Sequence, residues 1–334
     1  ALQVAAQYRI LGGLARGIVD ANLHTYHHLG DASTQTDNLI YDPSLDPYEV
    51  VGGRSGTPDD RWAFMSSSPW STYSGIGALA AASRALRGFN DSLATECLAL
   101  AEEAYAGARA AAESDAQSGP GGRFGAAADL SVVFALMAAT RRQPYAERFE
   151  DLIWPALERN AGRTLVTAVR AIPFMDESYA ARVRPYAARY REEVDGMLEE
   201  NPYGLPISRG GWAGNGGVVS WATTNYYLHR AYPDIFGPEL VTRGLDYLFG
   251  THPDHNLSFV SAVGNRSKRV AYGSNRADFG FIAGGIVPGV LIIEPDYPEN
   301  MDDWPFLWGE NEYVIGLGAS YIFLARAAEG MLGR

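Results

Sequence analysis

Apolar positions along this chain recur at helical spacing far more often than in strict alternation. In 74–87, SGIGALAAASRALR, the residues Ile76, Leu79 and Leu86 fall on one stripe. A second Ala-rich pattern fills 91–114, with Asn90 or Asp91 placed to cap it. Further helical patterns run near 1–19, 124–140, 145–157, 177–199, 216–231, 238–249 and 311–332, which predicts roughly ten helices. Pro185 is expected to kink or split the 177–199 segment, since proline removes a helix donor and clashes with the preceding turn. Gly250 supplies a stop for the helix before it.

The pattern changes at 20–70 and again at 251–310, where Gly, Pro, Asn, Asp and aromatic residues replace the helical stripes. Irregular stretches of this length in a compact domain usually carry function. Within them, short apolar runs such as LSFVSAV and GIVPGVLII suit small strands or buried extended segments. No linker-like or low-complexity tract divides the chain. The expectation is an all-α domain covering 1–334, a ring of paired helices with a site at one end.

Composition narrows the chemistry. Of the 334 residues, 47% are apolar and 20% charged, which suits a packed core. The formal net charge of −12 argues against a nucleic-acid partner or an anionic membrane surface, both of which need a basic footprint. No apolar run reaches the ~18 residues of a membrane span. The single cysteine, Cys97, excludes an intrachain disulfide and a cysteine-based metal cluster. Lys268 is the only lysine. The chain opens ALQVAAQYRI, already helix-like, without Met and without a signal-peptide pattern, and reads as an internal start.

Four stretches hold residues able to do chemistry. In 250–280, His252, His255, Arg266, Arg269, Tyr272, Asn275 and Arg276 form a polar loop that suits a hydroxyl-rich ligand, through guanidinium forks and amides. A solvated turn-rich loop explains the same composition equally well. His252 and His255 lack a third ligand, which disfavours a metal site. In 209–221, RGGWAGNGGVVSW, the glycines around Trp212 match no phosphate-binding spacing. They leave a flat ring open to a flat ligand such as a sugar face, although a core Trp is the plainer reading. In 23–38, three His residues including His28 stand with Tyr26, Asp31 and Asp37, without an H-E-x-x-H helix, and the chain has no G-x-S-x-G elbow. The fourth is WGENEYVIG, 308–316, which wraps Glu310 and Glu312 between Trp308 and Tyr313. Aromatic neighbours desolvate a carboxylate and suit a proton donor. Asn311, however, reads as a helix N-cap, which would make Glu312 a first-turn acid of the last helix.

Taken in order, these segments resemble glycoside hydrolase family 9, the family of many endoglucanases. TYHHLGD resembles its extended cleft loop, and STYSGIGALAAASRALRGFNDSLATECLALAEEAY its Ala-rich helix pair. GGWAGNGG is similar to its Trp-containing helix lead-in, and DYLFGTHPDHNLSFVSAVG to its Y-hydrophobic-hydrophobic-G-x-N-P…S-aromatic-V-x-G segment. WGENEYVIGLGAS is similar to its C-terminal Y-x-x-N-E-V-A signature. The resemblance implies an (α/α)6 barrel and inverting hydrolysis of a β-glycosidic bond. It makes the Glu after Asn the general acid, which selects Glu312 over Glu310. It places Trp212 as a stacking residue, Trp308 where the family has Tyr, and Arg276 at the end of a substrate-binding loop. Tyr272 joins the stacking surfaces, and Asn275 and His28 join the hydroxyl contacts.

The departures are specific. YGSNR replaces the family's His-His-Arg, so Ser274 and Asn275 stand where two His residues would contact sugar. The Asp-x-x-Asp motif that supplies the family's general base is absent, and Asp31 and Asp37 do not match it. An (α/α)6 barrel needs about twelve helices against roughly ten patterns here. Together these imply that an N-terminal part carrying the first helices and the base lies outside this chain. The expected partner is a β-linked glycan, with an N-terminal fragment of the same protein as a second. No cofactor is expected to be required, although family members commonly hold a structural calcium. Polymer hydrolysis would place the protein outside the cytoplasm, secreted or periplasmic; action on small oligosaccharides would place it inside. Two rival readings remain, a non-catalytic carbohydrate-binding protein on a degenerate hydrolase scaffold and a polysaccharide lyase.

Overall fold

The computed structural model describes residues 1–15, 17–20, 39–57, 61–64, 69–115, 122–207, 214–268, 281–290, 292, 294–295, 297 and 311–333; side chains are described for these except 18–20, 61–64, 69–70, 113–115 and 122–125. The chain divides into two compact units, Ala1–Ala156 and Leu157–Arg334.

The first unit begins with α1 (Leu2–Leu11), half the length its sequence pattern suggests. Gly12 ends it in the left-handed region at φ 72, with its N–H on the Tyr8 carbonyl, the backbone solution glycine tolerates best. The last residues of the expected helix lie instead in β1 (Gly17–Asp20), paired antiparallel with β5 (Arg61–Phe64). Between them, β2 (Ile40–Tyr41), β4 (Arg54–Ser55) and β3 (Val50–Val51) form a small sheet in that order. The unit's core comes from α2 (Pro69–Ala85), α3 (Asp91–Asp115) and α4 (Gly122–Thr140), mutually packed through Ile76, Leu79, Cys97, Ala101, Val133 and Leu136. Small Ala and Gly side chains let these helices approach closely. At Gly75 an added Cβ would collide with the Tyr8 hydroxyl and Leu14, so the bare position makes room for both side chains. Asn90 caps α3, accepting from Leu93 N at 3.1 Å, as its position predicts. Each buried Leu or Ile here contributes about 1.5–3 kcal/mol.

The helix α5 (Gln143–Arg159) runs across the unit boundary. In the second unit, α6 (Ala161–Ala171) follows after one residue. The sequence pattern gave no helix here. It forms because Asn160 caps it, accepting from Arg163 N, and because Leu165, Ala168 and Val169 fall on one buried face. A 3-10 turn at Ile172–Phe174 leads to α7 (Glu177–Glu199), capped by Asp176. Pro185 does not split this helix, because α7 continues through it as a single element. Then come α8 (Asn215–Ala231) and α9 (Glu239–Leu248), which meet closely where Gly244 faces Ala222. Gly250, at φ 99, follows α9 as expected. The short strands β6 (Leu257–Ser258) and β7 (Arg266–Ser267) pair in parallel. The last helix, α10 (Ile315–Met331), packs on α8 and α9. It is apolar nearly all round: Leu324 and Ala328 are buried, whereas Ile315, Ile322 and Phe323 are exposed.

Candidate active site

The extended runs predicted in 251–310 build a backbone framework rather than a broad sheet. Phe259 N–H donates to Leu248 O at 2.9 Å, tying the segment to the end of α9. Val260 bridges Ile286, and Val287 N–H donates to Phe259 O at 3.0 Å. Ser261 N–H reaches Gly285 O at 2.9 Å, and Gly284 N–H returns to Ser261 O at 2.8 Å. The far end of 281–290 holds the start of α8. Asn215 N–H donates to Pro288 O at 2.8 Å and its side-chain Nδ2 to Val287 O at 2.8 Å. Gly289, at φ 72, lies against the Asn215 amide with no room for a Cβ.

Of the sequence candidates, Glu312 is described. It is half-buried, in the three-residue connection between helical Asn311 and α10. The expectation that Asn311 caps the last helix is corrected. The residue before α10 is Val314, with no side-chain cap, and Asn311 is fully buried. Glu312 is therefore not a first-turn helix acid. The helix begins late because Val314 is extended, at φ −110 and ψ 119, and Tyr313 is engaged elsewhere. Its phenol lies 2.6 Å from Ser261 Oγ and 3.3 Å from Ile282 N, and its ring covers Gly285.

Trp212, Tyr272, Asn275, Arg276, Trp308 and His28 lie outside the described residues, as do Glu310, Asp31 and Asp37. The described positions that adjoin three of these segments in sequence belong to one framework. Asn215 stands three residues after Trp212, Lys268 directly precedes 269–280, and Tyr313 follows Glu312. Lys268 N–H donates to Ser258 O at 2.9 Å, and its carbonyl accepts from Ser261 Oγ at 2.7 Å. Sequence reasoning missed Ser261, Tyr313 and Gly285 as framework residues; the run S-F-V-S, with two fully buried serines at 258 and 261, was the available signal.

His252 and His255 satisfy each other. His252 Nε2 lies 2.8 Å from Tyr247 O, an acceptor only, so Nε2 carries the proton. Leu257 N–H donates to His255 Nδ1 at 3.0 Å, which leaves His255 Nε2–H to reach His252 Nδ1 at 3.1 Å. Burial first, then the adjacent His255, pushes His252 down to about 4, so the His252 ring is neutral near pH 7. This is a structural pair. Among the described residues no group of three or more His, Cys, Asp or Glu side chains gathers to hold a metal ion, so the calcium expectation finds no side-chain ligand set there.

A separate groove of about 660 Å³ runs between α6, α8 and α10. Tyr227 and Phe323 stack in it at 5.8 Å and 16°, with the Arg170 guanidinium 5.3 Å from the Tyr227 ring. Glu312 is not among the residues lining it. No described helix is long and apolar enough to cross a membrane.

No protein-family model matches the chain, and no curated protein matches it in sequence at a significant level. Its fold is similar to solved glycoside hydrolases. A metagenome-derived glycoside hydrolase family 9 endoglucanase aligns at 20% identity and TM-score 0.61, over 81% of this chain and 55% of its own. A thermostable endoglucanase from Alicyclobacillus acidocaldarius, solved as a single mutant, aligns at 18% and 0.61, over 86% of this chain and 60% of its own. A Bacteroides ovatus family 9 protein aligns at 16% and 0.62, over 96% of this chain and 59% of its own. The chain thus spans between 55% and 60% of the length of these structures. The likeness establishes an all-α fold of the (α/α)6 type, as the motif order implied.

Proposed function

We propose that this chain carries the acid side of an inverting glycoside hydrolase site, acting on a β-linked glucan or a related polysaccharide or oligosaccharide. Two things together carry this reading. The chain shares its fold with family 9 endoglucanases, and its Asn311-Glu312 pair resembles the Asn-Glu of that family's C-terminal signature. The half-burial of Glu312 supports it, because a proton donor must face both protein and substrate.

In this reading, Glu312 protonates the glycosidic oxygen as the bond to the anomeric carbon breaks. A base carboxylate ~6.5–9.5 Å from the acid activates a water, which attacks from the opposite face. The base is an Asp supplied upstream, since the 334 residues contain no Asp-x-x-Asp. Residues 1–334 then form the larger part of one catalytic domain, completed by an N-terminal fragment of the same protein. Trp212, Trp308 and Tyr272 stack on sugar faces, and Arg276, Asn275 and His28 hydrogen-bond hydroxyls. Replacement of the family's His pair by Ser274 and Asn275 shifts preference away from cellulose. Polymer hydrolysis places the protein outside the cytoplasm. No cofactor takes part in these steps.

The test is Glu312→Gln in the full-length protein, with hydrolysis measured across a panel of β-glycans. Turnover is expected to fall by a factor of ~10² or more, the scale of a lost general acid. Glu310→Gln is expected to be milder. Full turnover by Glu312→Gln refutes the assignment, and equal losses at both positions refute the choice between them. Oligosaccharide binding without turnover in the wild-type protein would instead establish the binding-protein reading.

A further inference from the structure

We infer that Tyr313 and Ser261 form a positioning pair that sets where the Glu312 carboxyl points. The inference rests on the reading of Glu312 as the acid. Three observations carry it.

The first is directional. Ser261 is fully buried, and its Oγ lies 2.7 Å from the Lys268 carbonyl, which can only accept. The single serine proton is committed there. The Tyr313 hydroxyl, 2.6 Å from the same Oγ, must therefore donate to it. The phenol oxygen in turn accepts from Ile282 N–H at 3.3 Å. One tyrosine oxygen is thus fixed as donor and acceptor at once.

The second is steric. Gly285 leaves the space that the Tyr313 ring fills: a Cβ there would stand 2.7 Å from Cε1 and 2.9 Å from Cδ1. The ring is held at its face by a bare backbone position and at its tip by two hydrogen bonds.

The third lies in the local backbone. Residues 312–314 belong to no helix or strand, and Val314 gives α10 no side-chain cap. Glu312 follows directly on helical, fully buried Asn311, and Tyr313 anchors the stretch one peptide later. The resembled signature has an aliphatic residue at this position, which would offer no hydroxyl to hold. The relay ends on the Lys268 carbonyl, directly before 269–280, so the acid and the proposed sugar-binding loop share an anchor.

The experiment uses Tyr313→Phe and Ser261→Ala in the full-length protein. Both keep the ring over Gly285, and thermal denaturation of each sample establishes folding. Loss of positioning is expected to lower kcat about 10- to 100-fold with KM little changed, the scale of a small misplacement of a reacting group. The limb of the pH–rate profile that reports the acid is expected to move. In a Glu312→Gln background, Tyr313→Phe is expected to have no further effect, because it acts through Glu312. A second readout is independent of turnover. The Glu312 carboxyl carbon resonance, identified by its loss in Glu312→Gln, is expected to shift in Tyr313→Phe. An unmoved resonance, or kcat within twofold of wild type, overturns the pair and leaves the acid assignment standing. Additive losses in the double variant do the same. Full turnover by Glu312→Gln overturns the acid assignment itself, and the inference with it.

Discussion

Gly285→Ala is the sharpest test of the framework around Glu312, because the structure fixes both sign and size. The new Cβ would sit 2.7 Å from Tyr313 Cε1, 2.9 Å from Cδ1 and 2.9 Å from the Ile282 carbonyl. Ordinary van der Waals contact begins near 3.4 Å, so the ring must retreat by about half an ångström or more. It cannot do so freely, since its hydroxyl is tied to Ser261 and Ile282 N–H. Forced overpacking of this kind costs about 1–3 kcal/mol. Urea unfolding is expected to show a lower midpoint by that amount at unchanged m. On the proposed function, hydrolysis is expected to fall with it, because the displaced ring drags the peptide of Glu312. Gly318→Ala is the control. That glycine lies within α10 with nothing inside 4 Å of an added Cβ, so the change should stabilise by up to about 1 kcal/mol, the helix preference of Ala over Gly. In a Tyr313→Ala background much of the Gly285→Ala penalty should vanish, leaving the contact with the Ile282 carbonyl. Equal penalties with and without the tyrosine ring would refute the packing argument.

Three further outcomes follow from the described residues. Asp129 is buried on α4 and receives Tyr105 Oη at 2.7 Å and Arg148 Nη2 at 2.6 Å, with Arg109 Nη1 at 3.5 Å. Asp129→Asn should cost about 2–3 kcal/mol by urea unfolding, below the full buried-pair range because both arginines are partly exposed; a loss under about 0.5 kcal/mol would contradict this. Asn160→Ala removes the cap of α6 and should cost about 1 kcal/mol, with Asn160→Gly markedly milder. His252 titrates near 4 in the folded chain against 6.5 unfolded, so between these values only the unfolded chain takes up the proton. The stability is fully present above about pH 6.5 and is lost as pH falls toward 4, by about 1–2 kcal/mol after allowance for partial exposure. The advantage of wild type over His252→Gln in urea midpoints should therefore shrink from pH 7.5 to pH 4.5; a constant difference would show that His252 is not the group responsible.

The sequence disclosed its helices where apolar stripes were long and failed where local chemistry decided the outcome. The cores of α2, α3 and α7 were legible from spacing alone. Only 11 residues make up α6, and they follow α5 after Asn160. No helical pattern was read between 157 and 177, and the cap that starts α6 is a single side chain. The overlong first helix was stopped by Gly12, whose positive φ no periodicity encodes. The late start of α10 has the same character. Asn311 is a good N-cap by residue type, but it is buried, and the extended Val314 carries the chain into the helix instead.

The candidate site was legible to a different degree, because motif order survives where contacts cannot be seen. Asn-Glu picks one carboxylate out of two by position in a signature, which says nothing of how that carboxylate is held. What holds its neighbourhood is long-range: Ser261 and Tyr313 are 52 residues apart, and Asn215 and Val287 are 72 apart. No local pattern predicts pairings at such separations, because each depends on which backbone carbonyls the β6–β7 turn and the 281–290 segment leave unpaired. Yet their consequences leave traces at the level of composition. A buried serine at 261, a glycine at 285 and a tyrosine where the resembled signature has an aliphatic residue are each unremarkable alone. Together they are mutually required: the tyrosine needs the bare glycine for its ring and the serine for its hydroxyl. A Tyr at 313 with Ala at 285 would clash, and with Ala at 261 would leave its hydroxyl without that acceptor. Co-occurrence of the three residues in other chains of this fold is therefore the sequence-level consequence of the geometry, and chains with Tyr after the Asn-Glu pair but a larger residue at the glycine would contradict it.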